Sequence, residues 1–389
     1  MGNLILNSLE IRGFRGFRHL QIERLGRVNL IVGKNNVGKS SLLEALQLYA
    51  LRGYPSVIWD HLRSRDESRY SPTGRSVDRS IEAEDQLLAL KYLFYGRKDV
   101  KPHLESIRIG PVSSPNEILS ITVDLYLSEQ DTEQQGRLKR RLLQPEEFNI
   151  VDNPVPRFTI QLGRQKKIDY PLNPTPSSRL VRPELKTINC AFRSAEGLIR
   201  EGDVSFRSAE GLARKGVGSL WDGISLTPLE DDVLVALRII APGVEGLSFV
   251  GEPESSAGRI PIVRIKGIDE PLPLRSLGDG MQRMLGIALA LANAQDGMLL
   301  VDEIENGIHY SVQPELWQLI FQIAYRLNVQ VFATTHSLDC IEAFQTAAQE
   351  DKQNEGLLIR LEFSKGEVRA TLFDEEELGI VTRQQIEVR

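Results

Sequence analysis

The stretch VNLIVGKNNVGKSSLLEAL, Val28 to Leu46, decides how this chain is read. Gly33 to Ser40 has the form G-x-x-x-x-G-K-S. It follows the apolar run Val28 to Val32 and precedes the helical apolar spacing of Ser40 to Leu51. A buried strand thus delivers the backbone into a tight loop, and a helix with Leu43, Leu46 and Leu51 on its core face leads it out. Gly33 and Gly38 let the backbone approach an anion closely, and successive N–H groups at the helix start face it. Lys39 reaches the outer phosphates of a nucleotide, and the Ser40 hydroxyl ligates Mg²⁺. Gly33, Asn35, Asn36, Val37, Gly38, Lys39, Ser40 and Ser41 are the expected nucleotide-binding residues.

The 389 residues suffice for one large domain or two moderate ones, and 41 % hydrophobic content can bury an ordinary core. A net charge of −6 argues against coating nucleic acid through overall charge, though not against a local basic groove. Cys190 and Cys340 form no C-x-x-C pair and have no His at ligand spacing. Both read as small buried residues in a reducing compartment, so the expected location is cytoplasmic. The opening MGNLILNSLEIRGF alternates like a strand and lacks a signal-peptide core. No apolar run is long enough to span a membrane.

Leu4 to Ile11 and Val28 to Val32 read as strands, and Ile81 to Tyr95 as a helix. Residues 53–80 are rich in Gly, Pro, Ser and Arg, and predict an exposed loop in which Asp60, Asp66, Glu67 and Asp78 offset five arginines. Between residues 106 and 170, ILSITVDLYL and PRFTIQL read as strands. The polar stretch with Arg137, Lys139, Arg140 and Arg141 reads as helical, and Arg164, Lys166 and Lys167 sit in a hairpin-like turn. FRSAEGL occurs at Phe192 to Leu198 and again at Phe206 to Leu212. Two copies make no solenoid, and the expectation is a duplication that lengthens a surface helix–loop. Residues 229–250 read as a helix and a strand.

From Leu272 the pattern tightens. LPLRSLGDGMQRMLGIALALANA places a glycine-broken loop before an apolar helix. GMLLVDEIENG is a buried strand ending in acids, Ser311 to Leu327 is a helix, and VQVFATTHS is a second buried strand that leads into His336. Strand, helix, strand in this order predicts a parallel sheet with helical crossovers. Asp302 emerges at the carboxyl end of its strand, where such sheets bind ligands. There it can hold Mg²⁺, and Glu303 can polarise a water. The acidic run Asp374 to Glu377 reads as a solvated turn.

P-loop, long insertion, glycine-rich signature, acidic strand end and strand-end His, in that order, resemble an ABC-type ATPase. IRGFRGF…VNLIVGKNNVGKSSLLEAL and DEIENGIH resemble the OLD (overcoming lysogenization defect) family and related prokaryotic defence ATPases, a group similar to SMC and RecF proteins. The resemblance is close over about residues 1–52 and 272–345. It implies an α/β P-loop NTPase of ABC-ATPase type with an inserted β/helical subdomain. Residues 1–52 and 272–389 would be the ATPase lobes, and residues 53–271 the insertion that partly completes them. It implies ATP and Mg²⁺ as ligands, Asp302 and Ser40 on the metal, Glu303 as catalytic glutamate, His336 as the γ-phosphate sensor and Lys39 as catalytic lysine. Leu277 to Arg283 matches the signature that contacts ATP of an opposite subunit, through Gly278, Asp279 and Gly280. Gly278 stands where a serine is usual, with Ser276 two positions earlier. Arg15 matches a basic residue near the nucleotide.

The family also implies a homodimer or higher oligomer. Between residues 53 and 271 no heptad pattern matches SMC coiled coils, and the stretch after His336 reads as one helix and a hairpin rather than a Toprim nuclease domain. The expectation is an ATPase without its own nuclease, working with a separate effector such as a Toprim-like nuclease, in anti-phage defence. The alternatives are a RecF-like repair ATPase, which would contact DNA, and a nucleotide-gated scaffold with little turnover.

Overall fold

All five residues of Val28–Val32 are buried, hydrogen-bonded Asn29 included, as a parallel sheet covered on both faces requires. A computed structural model describes residues 4–68, 86–97, 105–130, 138–147, 154–172, 185–194, 204–207, 216–251, 259–351, 355–374 and 377. In chain order the strands and α-helices are β1 (Leu9–Phe14), β2 (Phe17–Ile22), β3 (Val28–Val32), α1 (Lys39–Ala50), α2 (Pro55–Ser64), β4 (Ser106–Gly110), β5 (Leu119–Gln130), β6 (Leu138–Leu142), β7 (Val155–Leu162) and β8 (Ile168–Pro171). They continue as β9 (Cys190–Arg193), β10 (Val204–Arg207), α3 (Val217–Asp222), α4 (Pro228–Ile240), β11 (Val244–Val250), β12 (Ile260–Ile265) and β13 (Leu272–Pro273). The rest are α5 (Asp279–Asn293), β14 (Met298–Val301), α6 (Gln313–Arg326), β15 (Gln330–Thr334), α7 (Leu338–Glu350), β16 (Gly356–Ser364) and β17 (Glu367–Phe373).

The main sheet has the order β10-β9-β14-β15-β3-β16-β17. Its five inner strands pair in parallel, and only the edges β10 and β17 run antiparallel. Strand periodicity splits the core. Val28, Leu30, Val32, Leu299, Val301, Val331 and Ala333 join the cluster that includes α4, α5, α6 and α7. Ile31, Met298, Leu300 and Phe332 join the opposite cluster, with α1, α2 and a second sheet. That second sheet, β2-β1-β4-β5-β7-β8 with β6 on β5, is antiparallel throughout. A small third sheet, β11-β12-β13, packs against α4.

Four expectations need correction. Leu4 to Ile11 is not the first strand; β1 runs through Arg12-Gly13-Phe14 and turns at Arg15-Gly16 into β2. Residues 53–68 are not an exposed loop. Val57, Ile58, Trp59 and Leu62 bury one face of α2, and Pro55 at its first position suits the helix start. Residues 69–80 lie outside the described residues. The Lys139–Arg141 stretch is strand β6, not helix, because it completes pairing with β5, Tyr126↔Leu142 to Gln130↔Leu138. The two FRSAEGL copies do not begin a surface helix–loop. Their opening Phe-Arg pairs lie in β9 and β10, which form an antiparallel pair in the main sheet, Val204↔Arg193 to Arg207↔Cys190. Of the first copy, Arg193 is fully buried; Ala195 to Leu198 and Ser208 to Leu212 lie outside the described residues.

Buried Gln330 ties the N-terminal segment to this sheet. Its Oε1 accepts the Leu6 N–H at 3.0 Å, and its Nε2 donates to the carbonyls of Leu6 at 2.8 Å and Gly26 at 2.9 Å. Gln330→Leu strands these buried backbone groups. It is expected to lower unfolding free energy by about 2–4 kcal/mol with an unchanged denaturant slope in chemical denaturation. A loss below about 0.5 kcal/mol would refute the anchoring role.

Candidate functional site

The P-loop runs from the end of β3 to the start of α1 through three positive φ values, 144° at Gly33, 64° at Asn36 and 109° at Gly38. A side chain fits neither glycine. A Cβ at Gly33 would lie 2.3 Å from the Leu361 carbonyl oxygen, and one at Gly38 2.8 Å from the Phe17 ring. Gly38 is the N-cap of α1 and no side chain caps that end, so the first amides of the helix are left for an anion. Lys39 is buried, and its ammonium donates to the carbonyls of Gly33 at 2.7 Å and Lys34 at 3.1 Å. Burial draws this ammonium below the usual lysine range, while Asp302, Glu303 and Glu305 push the other way.

Two cavities meet around the loop. One, of about 290 Å³, is lined by Asn35, Asn36, Gly38, Lys39, Ser40, Ser41, Arg65, Glu303 and His336. The other, of about 510 Å³, adds Gly33, Lys34 and Thr335 and shares Asn35, Glu303 and His336. The structure therefore brings Glu303 and His336, more than 260 residues away in sequence, to the P-loop. Parallel pairing does this: β3 lies beside β15, and β15 beside β14, with carboxyl ends aligned.

Thr334, fully buried at the end of β15, organises the acids. Its hydroxyl donates to Asp302 Oδ1 at 2.5 Å and accepts the Glu303 N–H at 2.8 Å. Glu303 adopts φ 46°, a left-handed conformation that costs a non-glycine residue about 1–3 kcal/mol. The side chain is fixed from both sides: His336 Nε2 lies 3.0 Å from Oε1, and Asn306 Nδ2 donates to Oε2 at 2.9 Å. Neither Thr334 nor Asn306 belongs to the expected site, since each acts through a neighbour.

The donor set fits Mg·nucleotide. Ser40 and Asp302 offer a hydroxyl and a carboxylate, hard oxygen ligands of the kind Mg²⁺ takes together with phosphates. Among the described residues no group of three or more His, Cys, Asp or Glu side chains forms a protein-only metal cage. The uncapped helix start and the Lys39 ammonium, held by loop carbonyls, suit a phosphate tail.

Two basic residues exchange places relative to expectation. Arg15 does not face the nucleotide cavity. It is buried and forms ion pairs with Glu44 of α1 at 2.5 Å and with Glu67 at 2.7 Å, bracing the helix from behind. Burial raises the Glu44 carboxyl above its ordinary range against the pull of Arg15 and Arg65. Arg65, just past α2, lines the cavity instead, with Nε on Glu44 at 2.7 Å and a longer contact to Ser41 Oγ at 3.4 Å. The sequence placed Arg65 in a solvated loop; the apolar positions of α2 were the signal that it is held.

Gly278, Asp279 and Gly280 line neither P-loop cavity. They form the start of α5, with Gly278 at φ 96°, and a Cβ at Gly280 would lie 2.6 Å from the Gly307 carbonyl oxygen. Arg283 points inward. It is buried and donates to the carbonyls of Ser194, Asp302 and Glu303 at 2.6, 2.6 and 2.9 Å. Burial and the neighbouring Arg193 bring its pKa down to about 10.

Residues 5–107 match the family model described as "AAA ATPase domain", and residues 250–341 the one described as "AAA domain, putative AbiEii toxin, Type IV TA system". The first segment holds the P-loop and the second holds Asp302, Glu303 and His336. The chain is 26 % identical over 365 residues to an "ATP/GTP phosphatase" of Helicobacter pylori, covering 89 % of each. It is 28 % identical over 130 residues to the "DNA replication and repair protein RecF" of Listeria monocytogenes, covering 31 % of this chain and 33 % of that one. The RecF of Thioalkalivibrio sulfidiphilus is 49 % identical over 45 residues, 12 % of each chain. The solved SMC head domain from Thermotoga maritima superimposes with a TM-score of 0.42 at 12 % identity, covering 95 % of this chain and 99 % of its own. At that TM-score the strand order above, not the neighbour, carries the fold assignment. The fold and the site define a P-loop NTPase with a mixed α/β architecture. Within that class, the chain is an ATPase similar to AAA family members and, over about a third of its length, to RecF proteins.

Lys39→Ala is expected to weaken ATP binding roughly 100-fold by calorimetric titration, because it removes a buried charge-assisted donor to phosphate. Arg65→Ala should weaken it by a smaller factor, about 5-fold. Unchanged affinity in Lys39→Ala would place the nucleotide elsewhere.

Proposed function

We propose that this chain hydrolyses ATP to ADP and phosphate at the cavity between the P-loop and the ends of β14 and β15. The observation that carries the reading is Glu303, held in a left-handed turn by Thr334, His336 and Asn306 opposite Lys39. Glu303 takes a proton from the attacking water as its oxygen bonds to the γ-phosphorus. The bond to the bridging oxygen breaks and ADP leaves with the electron pair. Lys39 exchanges the Gly33 and Lys34 carbonyls for phosphate oxygens. Mg²⁺, held by Ser40 and Asp302, would neutralise charge on those oxygens. His336, whose imidazole contacts Glu303, senses whether the outer phosphate is present.

Gly278, Asp279 and Gly280 lie away from the chain's own P-loop cavities, which supports a head-to-tail homodimer in which they approach ATP held by the second copy. ATP then stabilises the closed pair more than ADP does, and hydrolysis reopens it. Among the described residues after His336, β16 completes the main sheet beside β3 and α7 packs on α6. An effector such as a nuclease, carried on another chain, is the proposed partner. The description of the model matched at residues 250–341, which names a toxin–antitoxin system, supports a setting in prokaryotic defence. The stretch 53–271, outside Arg65 and the main-sheet strands β9 and β10, is the proposed docking surface for the effector, and the cytoplasm the proposed location. Among the described residues no helix is long and apolar enough to cross a membrane. In the basic strand β6, Arg140 pairs with Asp169 and Arg141 with Glu147, exposed contacts that lend the RecF-like alternative no support of their own.

Glu303→Gln is expected to keep ATP affinity within about 3-fold while turnover falls at least ~100-fold. With Mg·ATP, size-exclusion chromatography should show it as an accumulated dimer. Full turnover in this variant would remove Glu303 from the base role. A reciprocal pull-down from the native host should recover a second protein more strongly with Mg·ATP than without. Tight, salt-sensitive DNA binding by the lone chain, with no partner recovered, would favour the repair reading.

A further inference from the structure

The parallel ladder between β14 and β15 ends at Val301↔Ala333, yet the two chains stay joined beyond it. The Ile304 N–H donates to the Thr334 carbonyl at 3.0 Å, and Thr334 Oγ1 bridges Asp302 and the Glu303 amide. The last link is Glu305. Its Oε1 accepts the backbone N–H of His336 at 2.9 Å. Its other oxygen, Oε2, is buried and accepts no hydrogen bond among the described residues. The Glu305 carbonyl accepts the Ile308 N–H at 2.9 Å, so the residue is fixed within a turn of its own loop. His336 is therefore gripped twice by one loop, at its ring by Glu303 and at its main chain by Glu305.

We propose that Glu305 is a positioning residue for hydrolysis: by holding the His336 main chain, it sets where the imidazole meets Glu303. This rests on the reading of Glu303 and His336 as the hydrolytic pair. The geometry gives Glu305 a partner on a different strand end. The contact it makes is to a backbone amide, so the essential property is an acceptor oxygen of the right reach, and not negative charge. Glu305 lines neither P-loop cavity and acts on Lys39 only through its charge, so its main effect falls on turnover rather than on nucleotide binding.

The test is steady-state ATPase kinetics on Glu305→Gln, Glu305→Ala and Glu305→Met, each alone and combined with His336→Ala. Wild-type turnover and its loss in Glu303→Gln serve as controls for the underlying reading. Glu305→Gln keeps an acceptor and is expected to retain kcat within about 3-fold. Glu305→Ala should lower kcat about 10-fold or more with KM for ATP unchanged within about 3-fold. Glu305→Met, of similar length but without an acceptor, should behave like Ala, and replaces it should the smaller side chain impair folding. In the His336→Ala background the Glu305 substitutions should cost no more than about 2-fold further, because the group they position is gone. If Glu305→Gln fell as far as Glu305→Ala, or if the losses added in full to His336→Ala, the positioning role would be wrong even with both controls intact. Failure of the controls would instead overturn the Glu303 assignment.

Discussion

The parallel pairing of three strands, β14 with β15 and β15 with β3, is the constraint on which the rest depends. Parallel strands end on the same side of a sheet. Registers of Val301↔Ala333 and Thr334↔Ile31 leave the loops after all three strands at one level. An anion cradle after β3, Glu303 after β14 and a histidine after β15 then share one cavity without any residue reaching far, with Asp302 held beside Glu303 through Thr334. Pairing of this kind needs crossovers, and α1, α5 and α6 supply the cover that keeps both faces of the sheet dry.

Strain and restraint are concentrated where those loops meet. Glu303 carries an unfavourable φ, and it is held there by Thr334, His336, Asn306 and the Arg283 guanidinium on its carbonyl. Arg283 also holds the Asp302 and Ser194 carbonyls, so one buried cation from α5 links the ends of β9 and β14. Its partners are carbonyl dipoles rather than carboxylates. At longer range Asp302, Glu305 and Glu303 partly offset its repulsion from fully buried Arg193.

What was legible in the sequence was local or strictly periodic. The P-loop glycines are dictated by backbone conformation at two positions, and β14 and β15 are unbroken apolar runs with no competing pattern. What was missed depended on neighbours remote in sequence. β6 carries Lys139, Arg140 and Arg141 and looks like a polar helix until β5 is present to pair with it. The Phe-Arg of each FRSAEGL copy reads as surface because no sequence window shows that Arg193 packs against Gly286, where a Cβ would lie 3.0 Å from the guanidinium carbon. Arg15 and Arg65 were distinguishable only through Glu44, a buried acid on the hidden face of α1 that both of them meet. The alternating N-terminal segment was placed too early because the β1–β2 turn uses Arg15 at φ 49°, a conformation that sequence does not announce for arginine.

The bonds from Lys39 to the Gly33 and Lys34 carbonyls make the lysine a tethered competitor for its own site. A nucleotide does not meet a bare cation; it displaces two oxygens that are always present at the effective concentration of a short ring. Net affinity is therefore an exchange quantity, smaller than the phosphate–ammonium contact alone would give. In return the same ammonium staples the turn of the loop through both carbonyls. In the proposed cycle, the same two carbonyls would also take the ammonium back as phosphate or ADP loosens.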